Sequence, residues 1–109
     1  MAVSDQVILT ERERASVERI VRGFGGRIGA VKVFGSRATG KARPSSDLDL
    51  VFYPPFSDRD CYDIMSAFED SDLPIFVDVI AWDQIASEHF RAEIARDAVP
   101  LLAPLTHVA

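Results

Sequence analysis

The chain has 109 residues, of which 48% are hydrophobic, and this size and composition fit one ordinary globular domain. We therefore expect a single domain over residues 1–109. The formal net charge of −5 argues against a protein that coats nucleic acid, because phosphate binding relies on clustered Lys and Arg. An acidic balance suits a basic protein partner, although it also serves solubility alone.

Cysteine content and hydropathy indicate the cellular compartment in which we expect the chain. Its one cysteine, Cys61, excludes an intramolecular disulfide and a multi-cysteine metal cluster. Residues 1–6 show no basic region followed by a long apolar stretch, and no segment approaches the roughly 20 apolar residues of a membrane span. We expect a cytoplasmic protein that is neither secreted nor embedded in a membrane.

The first predicted elements are a helix, a strand and a loop. Thr10 and Glu13 have the spacing of a capping box. The apolar residues that follow recur at the spacing of one helix face: Val17, Ile20, Val21 and Phe24. Glycines at positions 23, 25 and 26 end this helix. Residues 30–34 are apolar and β-branched enough to predict a strand, and residues 36–46 predict a functional loop with room for one helical turn.

The middle of the chain predicts a second strand and a second long helix. Residues 47–52 alternate acidic and apolar side chains and are followed by two prolines, which must end a strand. Residues 57–69 form an amphipathic pattern that begins at a cap, either Ser57 or Asp58. We expect the apolar stripe of this helix to be core: Cys61, Ile64, Met65 and Phe68.

The last third of the chain completes the predicted sheet. Residues 75–80 are dense in β-branched side chains and predict a central strand. Residues 83–97 have near-helical spacing, and residues 99–102 predict an edge strand because Pro100 is tolerated best there. The order of elements predicts an α+β (or α/β) domain, with helices packed on one face of a small mixed sheet.

Three aspartates are the first candidates for chemistry. Asp47 and Asp49 lie two apart on a predicted strand, so their carboxylates share one face. Asp78 interrupts an apolar run, where an isolated buried charge is costly. If the two strands are neighbours, the three carboxylates converge, and the usual solution to their repulsion is a divalent cation such as Mg²⁺.

A purely structural explanation of the aspartates stays open at this point. Asp47 would cap a turn, Asp49 would face solvent on an edge strand, and Asp78 would pair with Lys32 or Arg43. Taken singly, each aspartate fits this explanation as well as the catalytic one.

The turn before the aspartates favours the catalytic explanation. Gly35 allows the backbone to approach a phosphate closely, and Ser36 offers a hydroxyl donor. Arg37 is a candidate for balancing triphosphate charge, as are Lys41 and Arg43. The sequence leaves the roles of Lys32, Lys41 and Arg43 undecided.

These motifs together resemble the signature of the DNA polymerase beta-like nucleotidyltransferases. The resemblance runs from about residue 31 to residue 80 and comprises the Gly35-Ser36 turn, residues 46–50 and residues 77–79. The subfamily it resembles best is the minimal nucleotidyltransferases, or MNT proteins, which are similarly short. Ten residues separate Ser36 from Asp47, a spacing similar to that of MNT antitoxins.

The resemblance implies a fold, a reaction and a partner. It implies the nucleotidyltransferase fold, with Gly35, Ser36 and Arg37 binding the nucleotide and with Asp47, Asp49 and Asp78 as catalytic metal ligands. One or two Mg²⁺ ions and ATP as substrate are implied. MNT proteins resemble antitoxins that pair with HEPN ribonuclease toxins, and some of them transfer AMP to a toxin tyrosine. We therefore expect an enzyme that AMPylates a HEPN-type toxin. It would work as a homo-oligomer or as a hetero-oligomer.

Two other functions remain open at the level of sequence. One is a non-catalytic antitoxin that neutralises its toxin by binding alone, and the other is a transferase acting on a small molecule of the aminoglycoside type. The remaining candidate residues are expected to be structural. His89 and His107 are expected on the surface, whereas Cys61 and Trp82 are expected to pack in the core.

Overall fold

The computed structural model describes residues 9–101 and contains four α-helices, two short 3₁₀ turns and four strands within that range. The helices are α1 (Glu11–Arg22), α2 (Ser36–Thr39), α3 (Asp58–Glu69) and α4 (Glu88–Asp97). The 3₁₀ turns span Gly25–Arg27 and Trp82–Gln84. The strands are β1 (Val31–Phe34), β2 (Leu48–Phe52), β3 (Val77–Ala81) and β4 (Val99–Pro100).

The four strands form one mixed sheet in the order β3-β2-β1-β4. β1 runs antiparallel to both β2 and β4, whereas β2 and β3 run parallel. The predicted α+β architecture with a small mixed sheet is thereby confirmed. The pairing of β2 with β3 makes neighbours of the two strands that carry aspartates.

Two capping boxes fix where the long helices begin. The Thr10 side chain accepts from the backbone N–H of Glu13, and the Glu13 carboxylate accepts from the N–H of Thr10 at 3.0 Å. Ser57 and Asp60 make the same reciprocal pair at the start of α3. Each pair satisfies backbone donors that a helix leaves unpaired in its first turn. Both helix starts were predicted from sequence, and Ser57 is the cap.

The hydrophobic core lies on one face of the sheet, under α1 and α3. It is built from alternate residues of β1, β2 and β3 together with one stripe of each helix, and its fully buried members include Val17, Val33, Leu48, Leu50, Phe52 and Ile64. Each large aliphatic side chain buried in this way stabilises the fold by roughly 1.5–3 kcal/mol. The apolar stripes of α1 and α3 therefore pack against one face of the sheet.

The opposite face of the sheet carries the remaining alternate residues. Phe34 of β1, Asp49 of β2 and Asp78 of β3 occupy one register row on this face. Helix α4 also contributes here, since the Phe90 ring meets the Phe34 ring edge-to-face with centroids 5.7 Å apart. The expected packing of helices on one face thus describes α1 and α3, whereas α4 covers part of the face that carries the aspartates.

Two sequence expectations need correction. β3 is an edge strand and not a central one, because its apolar run reflects burial of Val77 and Val79 against the core and not pairing on both sides. Met65 was expected in the core but is 43% exposed.

The predicted edge strand is confirmed at β4, while Leu102 and His107 lie outside the described residues. Within residues 9–101, no helix has the length and hydropathy needed to cross a membrane.

Candidate active site

The parallel pairing of β2 and β3 brings two aspartates side by side. The register places Asp49 opposite Asp78, so their side chains leave neighbouring strands on the same face. Asp47 precedes β2 by one residue and is exposed at the edge of the same site. The sequence left open whether the two acidic strands are neighbours, and the structure shows that they are.

Burial and like charges act together on Asp49. They raise the pKa of Asp49 from 3.8 to about 6, first through desolvation and then through the charges of Asp78 and Asp47. The charge contributions show that both Asp78 and Asp47 act on Asp49. A carboxylate in this position is held at an electrostatic cost that a cation would relieve.

The structural explanation of the aspartates fails on two counts. β2 lies between β1 and β3, so Asp49 is on an internal strand and not on a solvent-facing edge. Among residues 9–101, none of the ion pairs involves Asp47, Asp49 or Asp78. Lys32, proposed above as a partner of Asp78, instead places its Nζ 5.4 Å from the centre of the Tyr53 ring.

The donor set suits a hard divalent cation. Carboxylate oxygens are the ligands that Mg²⁺ prefers, and the uncompensated charge on Asp49 supplies a reason to bind one. Within residues 9–101, no three acidic, histidine or cysteine side chains are already gathered in a metal-binding cluster. The three aspartates therefore lie near one another at the same site, but their carboxylates are not grouped closely enough to form a metal-binding cluster.

Gly35 is the point where the backbone meets the acidic row. Its φ of 74° is a conformation that favours glycine, and a Cβ built on it would collide with Oδ2 of Asp49. Both requirements exclude any other residue without rearrangement. Glycine here brings the start of α2 directly against the Asp49 carboxylate, so a group bound at the turn is adjacent to the acidic row.

The Gly35 carbonyl accepts the N–H groups of Ala38 and Thr39, at 3.0 Å and 3.2 Å, and so begins the short helix α2. The predicted helical turn in this loop is thereby confirmed. Among the described residues, the Ser36 hydroxyl makes no hydrogen bond, and its side chain is partly exposed at the turn. Its placement beside Gly35 keeps Ser36 a candidate for phosphate contact.

Arg37 has a different placement from the one that the sequence suggested. The side chain is 2% exposed and donates to the backbone carbonyls of Ser46 at 2.8 Å and 3.1 Å, Pro44 at 3.2 Å and Arg43 at 3.4 Å. Glu13 lies 3.9 Å from its Nη1 atom. The guanidinium thus braces the loop that ends at Asp47, which argues against direct contact with a triphosphate. The other two basic residues of this loop, Lys41 and Arg43, have exposed side chains.

An aromatic and cationic stack on the same face was missed at the sequence level. The rings of Tyr53 and Trp82 stack with centroids 5.1 Å apart, and the Arg91 guanidinium lies 4.7 Å from the Trp82 ring. Arg91 also donates to the Trp82 carbonyl at 2.8 Å. Trp82 is therefore partly exposed and not core. The available signal was positional, since Tyr53 and Trp82 each follow a strand that carries an aspartate.

The fold and the acidic site define a nucleotidyltransferase. Residues 18–104 match the family model described as "Polymerase beta, Nucleotidyltransferase", and the chain belongs to this family. A solved structure described as a minimal nucleotidyltransferase is 30% identical, with a TM-score of 0.59 over 82% of this chain and 88% of that one. The resemblance to minimal nucleotidyltransferases is thereby confirmed.

A curated relative gives a more specific likeness. The chain is 46% identical over 70 residues to a Haemophilus influenzae protein named "Probable protein adenylyltransferase MntA". That match covers 61% of this chain and 58% of the relative. The chain therefore spans somewhat more than half the length of the curated relative it matches.

Two toxin–antitoxin structures share the fold at lower identity. One, a toxin–antitoxin with AMP-PNP, is 16% identical with a TM-score of 0.66 over 84% of this chain and 73% of that one. The other contains a tri-AMPylated Shewanella oneidensis HEPN toxin in complex with an MNT antitoxin; its matched chain is 13% identical with a TM-score of 0.62, over 88% of this chain and 74% of that one. At these identities the two structures support the fold alone.

Proposed function

We propose that this chain transfers AMP from ATP to a hydroxyl group of a HEPN-type toxin and thereby acts as the antitoxin of the pair. The observation that carries the proposal is the pairing of Asp49 with Asp78 next to the Gly35 turn. Membership of the nucleotidyltransferase family and the identity of 46% to a relative named as an adenylyltransferase support the same activity. We place this activity in the cytoplasm, where ATP and the proposed toxin would be available.

The proposed site divides its work between two groups of residues. The backbone at Gly35 and the hydroxyl of Ser36 would bind the triphosphate, because they lie at a turn that reaches the acidic row. Asp47 and Asp49 would hold Mg²⁺, with Asp78 as a further ligand. When bound, this ion would supply positive charge against the triphosphate.

The proposed reaction uses Asp78 as its base, because Asp78 is the exposed member of the β2–β3 pair of aspartates. The acceptor oxygen attacks the α-phosphorus of ATP and forms the new P–O bond. The bond from the α-phosphorus to the oxygen that bridges to the β-phosphorus breaks, and pyrophosphate leaves. The proton of the acceptor hydroxyl passes to the Asp78 carboxylate. Asp49 is less suited to this step because its side chain is the more buried of the two.

The experiment is transfer onto a purified partner. The chain is incubated with Mg²⁺, ATP and a HEPN-type protein from the same genome, and the partner is weighed by intact mass spectrometry. We expect a gain of one or more AMP units on the partner, and none with an Asp47→Asn/Asp49→Asn double variant. No gain with the wild-type chain would contradict the proposal.

Two other functions predict different results in this experiment. If the double variant neutralises the toxin as well as the wild type does and the partner gains no AMP, the chain acts by binding alone. If AMP appears on an added aminoglycoside in the absence of any protein partner, the acceptor is a small molecule. Both results would replace the proposed function.

A further inference from the structure

The outer edge of β3 is open beside the proposed site. Within residues 9–101, β3 pairs only with β2, and no other backbone hydrogen bond reaches residues 77–81. An edge strand with unpaired N–H and C=O groups is a template for an added strand unless it is covered. This edge is close to the proposed catalytic site because Asp78 is the second residue of the strand.

A groove follows this open edge on both sides of the sheet. It has a volume of about 370 Å³ and is lined by Val79, Ile80 and Ala81 of β3, by Cys61 of α3 and by Phe90 of α4. The groove therefore lies around the second half of β3 and reaches both the α3 side and the α4 side of the strand. Its floor is apolar, which suits a side chain and not only a backbone.

A second cavity lies at the start of the same strand. It has a volume of about 170 Å³ and is lined in part by Met65, Phe76 and Val77. Phe76 is 62% exposed and Met65 is 43% exposed, so this end of β3 presents two large apolar side chains. An extended segment that follows β3 would meet apolar surface at both ends and Asp78 between them.

The charge around the groove indicates what kind of segment fits. Three exposed carboxylates adjoin its lining: Asp58 accepts from Gln84 at 2.6 Å, Asp83 precedes Gln84, and Glu88 follows Ser87. Residues 58–72, which include α3, contain six acidic residues and one basic residue, Arg59. Arg59 is paired with Asp63 at 3.1 Å, and Arg27 is paired with Asp60 and Asp63 at 2.6 Å, so the acidic excess of this segment lies on Asp58, Glu69, Asp70 and Asp72. A basic segment is therefore complementary to this side of the molecule.

We propose that the open edge of β3 receives an extended, basic segment of the acceptor protein as an additional strand, which places the acceptor hydroxyl beside Asp78. This inference rests on the proposed function and names the surface that presents its substrate. Side chains of the added strand alternate between the two faces. A residue opposite Asp78 would extend the row formed by Phe34, Asp49 and Asp78.

The register also specifies the neighbouring side chain of the acceptor. Ile80 is two residues from Asp78 on β3 and lines the groove together with Ile85 and Phe90. The acceptor residue two positions from the modified one lies in the Ile80 row, and so it should be apolar. The proposed acceptor thus carries a hydroxyl residue and an apolar residue separated by one position, within a stretch of basic charge.

The test measures amide hydrogen exchange in the full chain, alone and in complex with the acceptor protein used above. We expect exchange to slow about tenfold or more on complex formation at the amides within residues 77–81 that point away from β2, because the added strand gives these amides hydrogen-bonded partners. Ala86→Trp fills the groove from an exposed position and should weaken binding about tenfold or more. Ala15→Trp, an exposed alanine on α1, is the matched control and should bind like the wild type.

Three outcomes separate this inference from the proposed function. A complex that forms while residues 77–81 exchange at the rate of the free chain overturns the docking surface, even if AMP is transferred. Equal binding by Ala86→Trp and Ala15→Trp overturns it as well. Protection of residues 77–81 without AMP transfer supports the docking surface and contradicts the proposed function.

Discussion

Asp49 and Asp78 occupy opposite positions on the parallel strands β2 and β3, and the charge of Asp78 contributes to raising the pKa of Asp49 to about 6. The raised value means that the folded chain binds a proton at Asp49 more tightly than the unfolded chain does. Folding stability should therefore fall as the pH rises from about 3.8 to about 6, in proportion to the ionisation of this group.

Asp49→Asn should consequently stabilise the protein at neutral pH in the absence of divalent cations. The gain should be roughly 1–3 kcal/mol at pH 7, after allowance for solvent screening of a partly exposed group. It should disappear below about pH 3, where the carboxylate is protonated in both states. Denaturant unfolding of the wild type and the variant across this pH range measures the difference. A constant difference at every pH would contradict the account.

Asp78→Asn should separate catalysis from stability. Asp78 is exposed, so the substitution should change the free energy of unfolding by less than about 1 kcal/mol. It should lower transfer about 100-fold or more, because the acceptor proton loses its base. Removing the Asp78 charge should also lower the pKa of Asp49, which NMR titration of the carboxyl carbon would detect. Transfer at the wild-type rate would rule out the proposed role of Asp78.

Gly35→Ala should disrupt the acidic row, and Gly40→Ala provides its matched control. Both glycines have positive φ, at 74° and 82°, so alanine should cost about 1–2 kcal/mol of backbone strain at either position. Only at position 35 does the added Cβ meet Asp49, whereas the space around position 40 is open. We expect Gly35→Ala to lose about 1–3 kcal/mol more than Gly40→Ala in thermal or denaturant unfolding. Equal losses would show that the contact with Asp49 is unimportant.

Arg37→Lys should loosen the loop that leads to Asp47. Lysine carries one charged group and cannot reproduce the fork of bonds to the carbonyls of Ser46, Pro44 and Arg43. We expect a loss of about 1–3 kcal/mol in stability and weaker binding of Mg²⁺, measured by calorimetry. Arg43→Lys is the control, since its side chain is exposed, and it should change stability by less than about 0.5 kcal/mol. Similar losses in both variants would contradict the bracing role.

Local sequence patterns predicted most of the individual elements. The capping boxes at Thr10 and Ser57, the apolar spacing of α1 and α3, the β-branched run of β1 and the alternating pattern of β2 each have a cause within a few residues. The order of the motifs also indicated, through the family resemblance, that Asp47, Asp49 and Asp78 belong to one site. These features were accessible because helix and strand periodicity is a property of the sequence itself.

Features that depend on tertiary contacts were not predicted. An apolar strand is expected at the centre of a sheet, yet β3 lies at its edge. The strand is apolar because one of its faces is buried against the core. An arginine after a glycine–serine turn suggests phosphate binding, yet Arg37 is buried against carbonyls that lie six to nine residues further along the chain. Neither the strand order nor the path of the loop is encoded in local spacing.

The central claim is that this site transfers the α-phosphate of ATP with its nucleoside to a protein hydroxyl. The most direct measurement supplies ATP labelled either at the α-phosphate or at the γ-phosphate, together with Mg²⁺ and the HEPN-type partner, and follows the label on the partner. The account predicts that only the α-label is transferred and that Asp78→Asn lowers the transfer about 100-fold or more. Transfer of the γ-label, or transfer of the α-label undiminished in Asp78→Asn, would contradict it.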